Sequence, residues 1–514
     1  MGFLTDDEIE ALTPSEFLPH ATPIPTQIVS SDEYTPPPQS RKQKEVEARL
    51  LAMADEIGGK QGLSRRQFFQ TASGMAAAFV ALNETFSPLF EASRAEASTP
   101  AMAQERANAL KDQFIMDMHT HFLRDDTRLK NFVRAREAVG KAGWNPALVD
   151  KPQTLDDLKF NNYFKEIYLD SDTKVALISS SPSEEPQDWF LTNEMMIAAR
   201  EKVNREAGSR RMMAHAIFTP GRPGWLEHLE ESLKAKPDSI KGYTVGDNTN
   251  KHLARYPWRM DDEKTTYKAY ELAVKYGIKN ICVHKGLFPE TTAKRFPHLL
   301  EHAKVGDVGK AAKDWPQLNF VIYHGGYRWA AGGRATDGWA EFERTGRVSW
   351  VSDLAEIPEK FGVTNVYADV GQLFAQSVIA EPRITAAMMG ILGKGMGYDR
   401  VVWGTDAVWT GSPQWQIEAL RRLEISEDMQ KRYGFKPLGP ATGPIKTAIF
   451  GDTNAKLYDY DKSKRGDIGP ERDSFAIKKA EYEERGPARS NLRYGYVSGQ
   501  VDVDWQAFAR EWSA

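Results

Sequence analysis

A single cysteine, Cys282, stands in 514 residues, so no disulfide can form within the chain and pairing says nothing about an oxidising or reducing compartment. Charge of one sign is equally scarce as a local feature. The 67 Lys and Arg against 71 Asp and Glu leave a formal −4 with no block of like charge, which excludes the basic face that a nucleic-acid partner requires. A membrane span needs about 20 apolar residues, and the most apolar stretch, 71–90, is too polar to supply them. No Gly-x-Gly-x-x-Gly turn follows the first strand-like run, which disfavours a doubly wound dinucleotide-binding fold.

What the chain does have is a repeated ending. Four short apolar runs each finish in a side chain able to bind metal: Met116-Asp117-Met118-His119-Thr120-His121, Ile281-Cys282-Val283-His284, Val321-Ile322-Tyr323-His324 and Val401-Val402-Trp403-Gly404-Thr405-Asp406. Residues two apart on a strand share a face, so His119 and His121 can grip one ion. Strand ends that converge on ligands describe the C-terminal rim of a β/α barrel, where catalysis takes place. Cys282 sits two positions before His284 and is read as inner packing one layer deeper.

Strand-like runs at 114–118, 174–180, 211–219, 239–245, 280–284, 319–324, 365–370 and 400–404 alternate with amphipathic stretches. Eight is the number that closes a barrel, and the alternation is that of a parallel sheet. The expected fold is therefore α/β, a (β/α)8 TIM barrel over 110–460. Residues 461–514 form a charged C-terminal extension, and a closing helix near Gly451-Asp452-Thr453-Asn454-Ala455 is expected to dock beneath the barrel.

Ahead of the barrel, residues 1–63 are rich in proline and charge, including Pro36-Pro37-Pro38, and read as a disordered leader. Residues 64–97 open with Ser64-Arg65-Arg66-Gln67-Phe68-Phe69, continue into a weakly apolar stretch and reach Ala95-Glu96-Ala97, the pattern of a twin-arginine signal with a processing site. That pattern predicts handling by twin-arginine export machinery and a periplasmic location. The alternative is a cytoplasmic chain in which this segment is a surface amphipathic helix.

With these residues in view, 114–458 resembles the amidohydrolase superfamily, in particular the branch that includes aminocarboxymuconate-semialdehyde decarboxylase and related hydrolases. The resemblance rests on the His119-x-His121 pair, Val283-His284, Tyr323-His324-Gly325-Gly326, Gly404-Thr405-Asp406 and the late Gly451–Ala455 motif. It implies that His119, His121, His284 and Asp406 bind a divalent metal. It also implies that His324 is the acid/base residue, with Asp406 sharing the catalytic work. Imidazole and carboxylate donors suit Zn2+ first, with manganese or iron as other ions of this chemistry.

Lys241 falls in the fourth strand, where some superfamily members bridge two metals with a carboxylated lysine; this branch lacks the bridge, so Lys241 is assigned no metal role. Arg124, Lys285 and Arg328 follow ligand-bearing strands and could pair with a substrate carboxylate. Trp403, Trp409, Tyr327 and Trp329 could wall the pocket. The implied function is hydrolysis of a small molecule (lactone, cyclic amide or ester) by metal-activated water. The rival on the same site is nonoxidative decarboxylation of an aromatic or unsaturated carboxylic acid, and a third reading is an exported non-catalytic binding protein. A small-molecule substrate and a homo-oligomer are the expected partners.

Overall fold

Strands that read as near-continuous apolar runs are buried on both faces, as in a parallel sheet enclosed by helices. The computed structural model describes residues 22–26, 28, 40–129, 132–133, 137, 154–328 and 335–486. Within them lie β1 (Met116–His121), β2 (Val175–Ser179), β3 (Met212–Ile217), β4 (Ser239–Tyr243), β5 (Asn280–His284), β6 (Asn319–Tyr323), β7 (Val366–Asp369) and β8 (Val401–Val402). They pair in parallel in chain order. The result is the expected (β/α)8 barrel.

The seam between β8 and β1 is held by single backbone hydrogen bonds. Met118 N–H donates to Trp403 O (3.1 Å), Asp406 N–H to His119 O (2.8 Å) and His121 N–H to Ala407 O (2.6 Å). β8 is only two residues long because the chain after Val402 leaves the ladder to make these contacts. On β1 the register is irregular between Asp117 and Thr120. Met116 and Met118 therefore join the inner cluster with Leu177, Met213, Cys282, Val321 and Val402, while His119 and His121 reach the rim. Burial pushes the Cys282 thiol up to about 11, which suits packing and not nucleophilic attack. Beneath the barrel, Asn454 of the Thr453–Leu457 helix donates to Met116 O (2.9 Å) and Trp403 O (3.1 Å), tying the two sides of the seam together.

The N-terminal expectation needs correction from residue 40 onward. The chain forms α1 (Arg41–Met53), α2 (Arg65–Phe69), α3 (Ala72–Thr85), α4 (Arg94–Ser98) and α5 (Pro100–Leu110). Val46, Leu50, Met53 and Ile57 recur at helical spacing and are buried, an apolar stripe masked in the sequence by the charges between them. α3 fits tightly because Gly74 is bare: a Cβ there would lie 2.2 Å from Phe68 O. Leu89 and Phe90 then run beside the end of the late helix Gln414–Arg422. Glu91 N–H donates to Arg422 O (2.8 Å), and Glu424 N–H to Leu89 O (2.7 Å).

The Arg422 guanidinium is buried against Glu96 (2.6 and 3.0 Å) and lies 5.5 Å from the Phe79 ring centre. Breaking a buried pair of this kind costs about 3–5 kcal/mol. Expectations for residues 1–21, including any leader there, and for Pro36-Pro37-Pro38 lie outside the described residues, as do Trp329 and everything after 486. The described part of the C-terminal extension packs on the barrel wall: Asp473 grips Arg211 at 2.6 and 2.8 Å, and Phe475 sits against Phe164. Among the described residues no helix is long and apolar enough to cross a membrane.

Candidate metal centre

Six strand ends deliver polar side chains to one buried point. β1 brings His119 and His121, β4 Lys241, β5 His284, β6 His324 and β7 Asp369, and Asp406 enters across the seam. Asp406 Oδ1 lies 3.1 Å from His119 Nε2 and 3.2 Å from His121 Nε2. Donor atoms of His119, His324 and Asp406 fall within 4.8 Å of one another, the spacing of ligands around one ion. His284 stands one ring away, stacked on Tyr243 (4.9 Å between centroids) and edge-on to His324 (4.7 Å). Among the described residues its buried Nε2 has no hydrogen-bond partner. Gly404 makes the convergence possible: a Cβ there would meet Asp369 Oδ1 at 2.0 Å and His119 Cβ at 2.6 Å.

Partners on the far side of each ring decide which nitrogen faces the centre. His121 Nδ1 lies 3.2 Å from Ser179 O, and a carbonyl only accepts; the proton is on Nδ1 and the lone pair of Nε2 points inward. At His324 the order is reversed. Gln372 N–H donates to its Nδ1 (3.1 Å), so the neutral ring carries its proton on Nε2, toward the site. The Asp369 carboxylate, 3.0 Å from His119 Nδ1, takes that N–H and frees Nε2.

The inward face is thus crowded with acceptors. Burial, foremost, drives His119, His121 and His284 well down, His324 down to about 3, and the Asp369 and Asp406 carboxyls up. Neutral imidazoles and carboxylates that resist ionising are what a site built around a cation looks like when the positive charge is left out of the sum. The donor chemistry therefore fits a divalent ion. Part of the charge comes from Lys241, whose Nζ is 3.1 Å from His119 Nε2 and 4.3 Å from the Tyr323 ring centre.

An amidohydrolase family model matches residues 227–460, from the helix before β4 through the closing helix. Over these residues the chain is similar to the amidohydrolase superfamily. With the buried cluster of His119, His324 and Asp406, this likeness marks a metal-dependent enzyme with a small-molecule substrate and disfavours the non-catalytic alternative. The match begins after β3, so the His119-x-His121 pair is placed by the structure alone. No curated protein matches the chain.

Solved structures with a similar chain course include 2,6-dihydroxybenzoate decarboxylase from Rhizobium (12% identity, 68% of this chain and 99% of that one, TM-score 0.39). Another is 5-carboxyvanillate decarboxylase from Sphingomonas paucimobilis (12%, 68% and 99%, TM-score 0.38). A third is the 5-carboxyvanillate decarboxylase from Novosphingobium aromaticivorans complexed with manganese (13%, 68% and 97%, TM-score 0.36).

The side chains expected to anchor substrate are engaged as follows. Lys285 follows His284 directly and so points away from the barrel interior, into a buried pair with Asp307 (2.8 Å) and His302 O (2.8 Å). Its ammonium is engaged by these two partners and not turned to the centre. Arg124 is clasped in both prongs by Asp126, and Arg328 lies over Trp350 at 5.9 Å. Trp409 does line the centre, 5.4 Å from the His121 ring and 5.1 Å from Phe190; Trp403 instead packs behind the sheet on Phe450, and Tyr327 is fully buried.

Sequence reading missed Asp369, although it too ends a short strand run, Val366-Tyr367-Ala368. It also missed Asp117, which accepts from Thr405 N–H (3.0 Å) and from the Thr405 hydroxyl beneath the site. Lys241, given no metal role from sequence, is fully buried within the ligand cluster.

Proposed function

We propose that this enzyme hydrolyses an uncharged small molecule, a lactone, cyclic amide or ester, with zinc as the ion. His119, His121, His284 and Asp406 would hold it; Asp406 would take the proton of the attacking water and pass it to the leaving group, and His324 would hydrogen-bond the substrate. A bound divalent ion supplies a Lewis acid and lowers the pKa of water to about 7. The protein's share follows from the tautomers. Asp406, whose burial favours taking a proton, is the acceptor for the attacking water. His324 presents Nε2–H, fixed there by the Gln372 amide, to the substrate carbonyl or the leaving group.

One observation carries the choice of an uncharged substrate. The cations expected to hold a carboxylate are engaged elsewhere, Lys285 with Asp307 and Arg124 with Asp126. Phe190, Trp409 and Phe132 meanwhile give the rim beside His121 an aromatic wall suited to a flat apolar body. Decarboxylation is the second reading, favoured by Lys241, a buried ammonium beside His119 that could face a substrate carboxylate. A panel of lactones, esters and cyclic amides beside aromatic carboxylic acids, followed for ring-opened product and for carbon dioxide, separates them. Hydrolysis without carbon dioxide is expected; carbon dioxide from the acids with no hydrolysis overturns the reading.

We also propose that the paired-arginine segment stays with the enzyme, and that the chain works in the compartment where it folds. Arg65 is paired with Asp55, Phe68 is fully buried, Ala97 is buried and Glu96 is held by Arg422, so a peptidase would have to unpack the fold to cut after Ala97. Fractionating cells that make the native chain, beside Arg65→Lys with Arg66→Lys, is expected to give full-length cytoplasmic protein in both cases. An exported product shortened by its first 97 residues overturns this.

A further inference from the structure

Under the rim runs a column of polar side chains for which the chemistry above has no use. His215, on β3, is fully buried inside the barrel. Its Nε2 is 2.8 Å from Tyr323 Oη and its Nδ1 2.8 Å from Ser239 Oγ. Ser239 Oγ is 3.3 Å from Tyr458 Oη, which is 3.6 Å from Cys282 Sγ.

One carbonyl fixes every direction in this column. Tyr323 Oη lies 2.7 Å from Met118 O, which can only accept, so the Tyr323 hydroxyl proton is committed there. Tyr323 must then accept from His215 Nε2–H. His215 Nδ1 is left with a lone pair and accepts from the Ser239 hydroxyl; Ser239 accepts from Tyr458, and Tyr458 from the Cys282 thiol. All five side chains are neutral in this arrangement. Burial agrees, holding His215 well down and Tyr323 and Tyr458 well up.

The column ends on the ligands. The Tyr323 ring packs against the His119 imidazole at 4.0 Å between centroids, and the carbonyl that takes its proton belongs to Met118, the residue before His119. The same ring carries the Lys241 ammonium at 4.3 Å on its face. His119 is therefore braced twice by one tyrosine, by ring contact and through its own backbone. That tyrosine is braced in turn by His215.

We infer that Tyr323 and His215 are positioning residues for the metal centre: a one-way hydrogen-bond column from Cys282 to Met118 O sets the orientation of His119 and the place of Lys241. The inference rests on His119 being a metal ligand. Support shells of this kind change metal affinity by about 10–100-fold when broken.

The test is metal affinity, by competition with a coloured chelator, together with the visible spectrum of the cobalt(II)-substituted protein, for wild type, Tyr323→Phe, His215→Ala and the double variant. Thermal unfolding checks that each variant folds. Each single variant is expected to bind metal about tenfold more weakly and to shift the cobalt bands, and the double variant to be no worse than either, because one column is cut once. Ser239→Ala, which leaves Tyr323 and Met118 untouched, should shift the bands the same way, and it decides the matter if Tyr323→Phe does not fold. Affinities and spectra within twofold of wild type, or losses that add in the double variant, overturn the column. A wild type that takes up no metal overturns the metal-site reading, and the inference with it.

Discussion

His324→Asn should leave the purified enzyme with its full complement of metal and about 10²–10⁴ less turnover. Asparagine keeps what the histidine does for the fold. Its amide oxygen can take the Gln372 N–H that now goes to His324 Nδ1. It also tolerates the left-handed backbone at this position, φ 59°, better than most side chains. What it removes is the inward Nε2–H, the hydrogen-bond donor proposed to polarise the substrate carbonyl or leaving group. Metal content by elemental analysis and turnover are measured on the same samples. Metal that falls in step with activity would make His324 a ligand, a role its place within 4.8 Å of His119 and Asp406 would then explain.

His119→Ala combined with His121→Ala should take the protein from about one divalent ion per chain to none, and activity should vanish with it. Both lone pairs that face Asp406 Oδ1 are lost together, leaving His284 and a carboxylate, fewer donors than the three or four of a catalytic site. Elemental analysis of wild type and variant, each confirmed folded by circular dichroism, reads the result and separates zinc from manganese. Equal metal in the two proteins would sink the centre.

The barrel was legible because its strands are buried on both faces and so leave unbroken apolar runs, and the side chains gathered at the centre because each follows such a run. Asp369 escaped because the strand-like run was read on through Val370, which put the aspartate inside the run and not at its end. Lys285 shows the limit of proximity in sequence. The residue after a ligand on a strand faces the opposite way, and the charge that looked nearest to the site belongs to Asp307. At the N-terminus, charge density hid the spacing of Val46, Leu50 and Met53. Composition alone does not separate an apolar helix that inserts into a membrane from one that packs on a neighbour, and α3 is of the packed kind, with Ala76, Ala77 and Phe79 in the core. The tautomers of His121 and His324 could not be read at all, since they depend on Ser179 and Gln372, residues distant in sequence.

The seam has a consequence in time. Asp117 and Thr405, which meet across it, are 288 positions apart. A ribosome delivers β1 early and β8 late, and until β8 docks, β1 and β7 are bare edges able to pair with other chains. His119 and His121 therefore wait through most of synthesis for Asp406. A nascent chain halted anywhere before the eighth strand carries its histidines without the carboxylate that faces them in the finished barrel.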